Sequence, residues 1–440
     1  MALQMASKRL LPSLMRPTSL RQFRLASSLS SAVKAEILHE TTHPSHDPPA
    51  DSGSARLIAD HEKYMVATYS RPTTIFAKAD GSHLWDLENR RYVDFTAGIA
   101  VNALGHNDEV FLSVMAEQAS QIIHTSNLYH NLWTGELSKL LVTKTHEHSA
   151  FATASRVFIC NSGSEANEAA LKFSRKVGKQ LGGDRKTGLV SFHNSFHGRT
   201  MGSLSATPNP KYQAPFAPMV PGFKYGTFND IAGIPELVTE ETCGVIVEPI
   251  QGEGGVNVGT TEFLVALARR CREVGAFLPK EAHPDILTMA KALGNGFPIG
   301  ATMVNDFIAE KILIGDHGTT FGGNPLASRI GHYVFSRLSD PKLLRGVEAK
   351  GQIFKKRFEA LAAKYPDVVK EVRGRGLILG LQLTRDPKEL IRECRERGLL
   401  VITCGTNTVR FVPPLVIEDE VIEEGLAIFE KAMEAWVAME

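Results

Sequence analysis

Between about Asn107 and Thr320, short apolar runs alternate with amphipathic stretches of roughly 10–15 residues, the change of period that marks strands followed by crossover helices. The runs Arg156–Cys160, Gly188–Phe192 and Gly244–Pro249 are too short for helices and rich in residues that suit a pleated surface. Parallel neighbours need long connections. The alternation therefore predicts an α/β domain over 107–330, with a mostly parallel, helix-covered sheet. Before it, a helix begins near Leu57, and apolar alternation on either side of Asn89 predicts a hairpin within Gly81–Phe95. After Gly331 come a long helix, strands over Gly374–Leu383 and Thr408–Val412, and a last helix. The flanks 35–106 and 331–440 are expected to form a smaller α+β domain.

Composition narrows the class without naming it. A chain of 440 residues suffices for two or three domains and a large core. Apolar residues make up 43% and charged residues 22%, ordinary for a globular enzyme. Lys+Arg against Asp+Glu is 49 to 48, so no charge excess points to nucleic acid or a membrane surface. Cys160, Cys243, Cys271, Cys394 and Cys404 lack metal-ligand spacing and read as free thiols in a reducing compartment. No metal site is expected. Residues 1–34 differ in kind: they are basic, serine-rich and free of acidic residues, with Arg16, Arg21 and Arg24 among leucines. That composition predicts a mitochondrial transit peptide. A His- and Pro-rich linker follows over 42–51.

Candidate chemistry sits where strands end. Asn161–Lys172 follows a strand and opens a helix, with Ser162 and Glu165 at capping-box spacing. Gly163 permits close backbone approach, and free N–H groups with the Ser164 hydroxyl make a phosphate cradle; alone, the pattern suits any capped helix. In Phe192–Arg199, Phe196 could stack on a ring and Arg199 bind a carboxylate, although loop aromatics commonly just pack. Glu248 and Glu253 occupy a Gly-rich turn closing an apolar strand, the place where open α/β sheets bind ligands; ordinary turn polarity fits equally well. Lys291 ends the apolar run Asp285–Ala290. Such surroundings can lower an ammonium's pKa and yield an amine nucleophile, whereas an isolated lysine is ordinarily solvated. Thr319 and Thr320 lie among glycines in His317–Pro325, suited to phosphate oxygens.

In this order, from about Tyr64 to the C-terminus, these motifs resemble the class III (subgroup II) aminotransferases. The resemblance implies a homodimeric fold-type I transferase dependent on pyridoxal 5'-phosphate, with a seven-stranded-type sheet in the large domain. Gly163 and Ser164 would hold the cofactor phosphate, helped by Thr320 from the second subunit, and Phe196 would stack on the pyridine ring. Lys291 would be the Schiff-base lysine and proton carrier. Arg199 and Thr319 would contact substrate, Arg410 would clamp its carboxylate, Glu253 would mask Arg410 in the other half-reaction, and Glu248 would line the site. His124–Tyr129, Gly315–Leu326 and Thr403–Leu415 resemble members that transfer the δ-amino group of N2-acetylornithine to 2-oxoglutarate. That reaction gives N-acetylglutamate semialdehyde and glutamate, a step of arginine biosynthesis in the mitochondrial matrix. Ornithine and 4-aminobutyrate are the alternative donors.

One expected part is missing. In the family, a strand ending in Asp-Glu-(Val/Ile)-Gln precedes the lysine strand, and its Asp pairs with the pyridine nitrogen. Here Gly275 leads through Ala276–Leu278 and Pro279–Pro284 straight to Asp285, about 20 residues short, the scale of a strand plus its crossover. Glu262, in a helix pattern, and Glu281, in a short polar connection, do not replace the Asp. An ion pair near 4 Å at an effective dielectric of 20 amounts to about 4 kcal/mol, so about a thousandfold in rate is at stake. Losing a central strand also removes four or five buried side chains at about 2 kcal/mol each. That rivals a domain's stability. Little or no turnover is expected from this chain. Two other readings stay open: a non-enzymatic variant, such as a dimer partner or splice form, and an exon misread as intron.

Overall fold

Ser52 sets the first described helix, Gly53–His61, slightly ahead of Leu57: its hydroxyl accepts from the Ala55 N–H at 3.0 Å. The computed structural model describes residues 48, 51–148, 151–275 and 284–439. The expected leader at 1–34, and the bridge 276–283 with Glu281, lie outside the described residues. Strands β1 (Phe76–Asp80), β2 (His83–Asp86) and β3 (Arg91–Asp94) form an antiparallel meander. Asn89, at φ 58°, turns the second hairpin, as the alternation around it predicts.

The strands of the α/β region are β4 (Ala154–Cys160), β5 (Gly188–Phe192), β6 (Phe223–Gly226) and β7 (Thr242–Val245). A short hairpin, β8 (Ile250–Gln251) and β9 (Asn257–Val258), follows, and then β10 (Ile286–Met289) and β11 (Gly300–Asn305) flank Lys291. Instead of one continuous sheet there are two of three strands, ordered β6-β5-β7 and β10-β11-β4. The first is parallel throughout; in the second, β11 runs against both neighbours. Among the described residues, β7 pairs only with β5, and β10 only with β11. Burial follows from that. Leu189–Phe192 of β5 and all of β11 are buried, whereas every residue of β10 and Cys243–Val245 of β7 are only half-buried.

The helix Gly163–Gly182 packs on both sheets. A Cβ on Gly178 would lie 2.4 Å from the Cβ of Cys243 on β7, so only glycine permits that approach. On the other sheet, Thr288 of β10 donates to Asn167 Oδ1 at 2.8 Å. Charge acts over distance between the two sheets. Asp285, just before β10, acts on Cys271, which shares a buried cluster with Val190 of β5; Glu248, just after β7, feels Lys291, just after β10.

Helix Pro325–Leu338 runs across residue 330, where the large domain was expected to end. Asp340 and Pro341 then cap a second helix, Pro341–Lys364, so the single long helix expected here is two. The strand expected over Gly374–Leu383 is likewise two, β12 (Val369–Arg375) and β13 (Ile378–Leu383), because Gly376 takes φ 57° and turns a hairpin. With β14 (Leu399–Leu400), β15 (Ile402–Cys404) and β16 (Thr408–Phe411), a four-stranded sheet β12-β13-β16-β15 forms, and β14 pairs in parallel with β3. Helix Asp419–Val437 closes its core. Phe358 and Phe411 lie 4.6 Å apart and Phe411 and Phe429 5.1 Å apart, all fully buried with Phe95 from the N-terminal segment.

Candidate active site

The N-terminus of helix Gly163–Gly182 is built by reciprocal caps. The Ser162 hydroxyl accepts from the Glu165 N–H at 3.2 Å, while the Glu165 carboxylate accepts from the Asn161 N–H at 3.0 Å and its side-chain amide at 2.8 Å. The expected capping box thus closes on Asn161 rather than on Ser162 itself. The Asn161 amide also donates to Thr319 Oγ1 at 3.0 Å, which brings in the loop carrying Thr320. Gly163 and Ser164 stand in the first turn, where backbone N–H groups have no intrahelical acceptor. From the other side, the Arg199 N–H donates to Ser164 Oγ at 3.3 Å. A Cβ on Gly198 (φ +133°) would fall 2.2 Å from that oxygen. The loop reaches the helix end because residue 198 is glycine.

The same loop carries Phe196, whose N–H donates to Glu248 Oε2 at 2.9 Å. Burial pushes the Glu248 carboxyl up to about 7, against the opposing pull of the Phe196 and Gly252 N–H groups and of Lys291. Lys291 itself is exposed and holds φ 50°, the left-handed region that costs a lysine backbone strain. Beyond Glu248 the β8–β9 hairpin presents Glu253 to Arg410 of β16. The Arg410 guanidinium is buried and donates to Glu253 Oε2 at 3.0 Å and to the Gly252 carbonyl at 2.8 Å.

Two candidates sit differently from the rest. Arg199 is exposed and stacked over Tyr212 at 3.7 Å, with the Phe196 ring 5.6 Å away. Thr320 is exposed on its loop. Sequence patterns did not single out three residues that organise the site. Asn167 links Thr288 of β10 to the His197 carbonyl, to which it donates at 2.7 Å. Glu168 accepts from Thr200 Oγ1 at 2.6 Å and the Gly202 N–H at 2.8 Å, fixing the loop beyond Arg199. His197 is only 5% exposed, its Nε2 has no partner among the described residues, and burial pushes it down to about 4. All three lie inside or beside motif runs, but nothing local in sequence reports their burial or partners.

A ring carrying a phosphate and an aldehyde fits this arrangement at three points. The helix end offers N–H groups and a hydroxyl to the phosphate, Phe196 offers a ring face, and Lys291 an amine. At the ring-nitrogen end the fit fails among the described residues: Glu248, a carboxyl that feels Lys291, is engaged by two N–H groups and protonates near neutrality. A cradle after β4, a lysine after β10 and a carboxylate-masked arginine on β16 suit a pyridoxal-phosphate aminotransferase.

The chain belongs to the class-III aminotransferases: that family's model matches residues 64–280 and 276–433. The family depends on pyridoxal 5'-phosphate. Mitochondrial acetylornithine aminotransferase of Neurospora crassa is 62% identical over 418 residues, covering 90% of each chain. Among solved structures, ornithine aminotransferase of Toxoplasma gondii ME49 superposes with TM-score 0.82 at 28% identity, covering 88% of this chain and 97% of that one. N-acetylornithine aminotransferase of Stenotrophomonas maltophilia K279a gives 0.72 at 31%, covering 87% and 100%. The two family matches meet at 276–280. Ninety per cent of 440 residues is about 396, so about 22 of the 418 positions aligned with the Neurospora protein have no residue here.

Proposed function

We propose that this chain is built to transfer the δ-amino group of N2-acetylornithine to 2-oxoglutarate in the mitochondrial matrix, and that as it stands it turns over little or not at all. The observation that carries the transaminase reading is the Arg410–Glu253 pair, 3.0 Å long, in the turn that follows Glu248. A buried guanidinium covered by a half-exposed carboxylate serves two substrates in turn. With Glu253 withdrawn, Arg410 takes a carboxylate of 2-oxoglutarate or glutamate; with Glu253 in place, the pocket accepts a donor that presents no carboxylate there. Pyridoxal phosphate, when bound, would supply the electron sink. Lys291 Nζ would take the proton from the amine-bearing carbon of the donor, Gly163 and Ser164 would hold the cofactor phosphate with Thr320 of a second subunit, and Phe196 would offer its face to the ring. Arg199 and Thr319 line the donor side.

The choice of donor rests on the relatives named acetylornithine aminotransferase. The ornithine aminotransferase neighbour makes free ornithine the second reading. Homodimerisation is supported by a set of exposed apolar side chains, among them Tyr64 at 84%, Leu128 at 85% and Ile314 fully exposed. We propose a small domain formed by 35–106 with the C-terminal segment, since Phe95 packs into the Phe411 core and β3 pairs with β14. Turnover with acetylated and free ornithine, measured on a form with the absent segment reinstated, tests the donor: preference for free ornithine or 4-aminobutyrate sinks this reading. Strong cofactor absorbance and normal turnover by the chain as it stands would defeat the inactivity.

A further inference from the structure

We propose that Tyr212 is a positioning residue for Arg199: its ring face holds the guanidinium so that the free edge meets the carboxylate of the amino donor. This inference deepens the donor-side reading of Arg199 and rests on it. Arg199 is anchored at its backbone, where the N–H donates to Ser164 Oγ at 3.3 Å. Its guanidinium, by contrast, has no hydrogen-bond or ion-pair partner among the described residues. What holds that group is a ring. The guanidinium carbon lies 3.7 Å from the centroid of Tyr212, in van der Waals contact, and 5.6 Å from that of Phe196, so Tyr212 is the platform. A guanidinium lying on a ring keeps its in-plane N–H donors open, and a planar carboxylate takes those donors two at a time. Arg410 differs, because Glu253 and the Gly252 carbonyl already engage it. Of these two arginines, Arg199 is the one that can receive a carboxylate with nothing withdrawn first.

The platform is itself braced. Tyr212 stands in the single turn Pro210–Gln213, which the Asn209 side chain caps by accepting from the Lys211 N–H at 3.0 Å. The Tyr212 N–H donates to the Asn209 carbonyl at 2.9 Å. Next to it, the Gln213 side-chain amide donates to the carbonyls of Leu204 and Thr207, both at 3.0 Å. Those bonds tie the turn back onto helix Met201–Ser205, which follows Arg199 in the chain. The Tyr225 hydroxyl, on β6, donates to the Ser205 carbonyl at 2.9 Å and pins the same helix to the sheet. The ring therefore faces Arg199 from a fixed place. A long, rotamer-rich side chain that would otherwise be ordered during binding is ordered beforehand.

The test is phenylglyoxal labelling of Arg199 in the purified full chain, read by peptide mass spectrometry against Arg375, whose side chain is 81% exposed. The reagent adds across two guanidinium nitrogens, and a group lying on a ring presents it one face instead of two. Labelling of Arg199 should rise about 5-fold in Tyr212→Leu and keep the wild-type rate in Tyr212→Phe, which retains the ring. Tyr212 is only half-buried, so urea midpoints of both variants should match the wild type. N2-acetylornithine should protect Arg199, whereas N-acetylputrescine, with the same amide and amine but no carboxylate, should not. Half-protection of Tyr212→Leu should need about 10-fold more N2-acetylornithine, with Tyr212→Phe unchanged. Equal labelling of wild type and Tyr212→Leu, an unchanged half-protection concentration, or a Tyr212→Phe that behaves as Tyr212→Leu overturns the positioning role. Equal protection by the two compounds, or none by either, sinks the donor-side reading of Arg199 and this inference with it. Protection by N2-acetylornithine alone, with no effect of Tyr212→Leu, sinks the positioning role and leaves that reading standing.

Discussion

The core around Phe411 and the strands around Lys291 draw on the same kinds of residue and reach opposite ends. In the first, β13 and β16 lie inside a four-stranded sheet covered by helices Pro341–Lys364 and Asp419–Val437, and Leu379, Leu381, Phe411 and Phe429 are buried. In the second, Ile286, Leu287 and Met289 are as apolar but only half-buried, because among the described residues β10 has a neighbour on one side only. The first sheet is assembled from chain neighbours and hairpins. The second depended on a strand arriving from the sequence between Gly275 and Asp285. A sheet interior is a property of its neighbours, and one absent strand opens two edges at once.

Restoring that neighbour should have the largest effect. With about 20 residues reinstated between Leu278 and Pro279, turnover of acetylornithine and 2-oxoglutarate should rise by about a thousandfold, measured as steady-state kcat. An equal rate before and after would dissolve the contrast between the two regions. Next come matched truncations followed by urea unfolding. Leu381→Ala, in the closed sheet, should cost about 2–5 kcal/mol, whereas Leu287→Ala, on the open edge, should cost about 1 kcal/mol. Similar losses would show that β10 is as well packed as β13. Gly178→Ala forces a Cβ against Cys243 and should cost about 1–3 kcal/mol by lifting the helix from β7; no loss would mean that this helix does not hold the two sheets together.

The smallest effect is a pH dependence confined to the split sheet. Glu248 and Asp285 ordinarily titrate at 4.5 and 3.8, and burial raises both to about 7. Between those values the folded chain keeps protons that the unfolded chain releases. Each carboxyl therefore weakens the fold as pH rises through that window, by on the order of 1 kcal/mol per unit. His197 acts the other way: held at about 4 against an ordinary 6.5, it weakens the fold as pH falls between them. Burial lowers His317 and His332 as well, so the carboxyls are read by difference: relative to the double variant Glu248→Gln with Asp285→Asn, the urea midpoint should fall as pH rises from about 5.5 to about 7.5. The Phe411 core, whose shifted groups are thiols such as Cys404, at about 11, with lysines and arginines such as Lys350 and Arg357 that ordinarily titrate well above this window, should hold constant.

Much of the site was legible because its signals are local. A capped helix start shows in Ser162–Glu165, a hairpin in Asn89, and a lysine after an apolar strand in Lys291, since each depends on residues a few positions apart. The break before Asp285 was legible as well, because a resemblance that runs unbroken on both sides makes a missing strand conspicuous. The hairpin at Gly376 was not: Gly374 and Gly376 sit in an apolar run with the period of a single strand, and only a neighbour pairing back on itself distinguishes the two. His197 was not legible either, since an orphaned Nε2 is defined by what is absent around it.

By itself, then, the sequence determined the class of fold, the identity and order of the chemical groups, and the place where a segment is lacking. These are matters of periodicity, capping and spacing along the chain. Tertiary structure alone decided that the loss splits the sheet into two rather than closing it, with helix Gly163–Gly182 spanning both parts. It alone brought Arg410 onto Glu253 across the chain and left the His197 Nε2 buried without a hydrogen-bond partner among the described residues. The physical reason is that hydrogen-bond satisfaction and burial belong to sets of neighbours, and only folding chooses the neighbours.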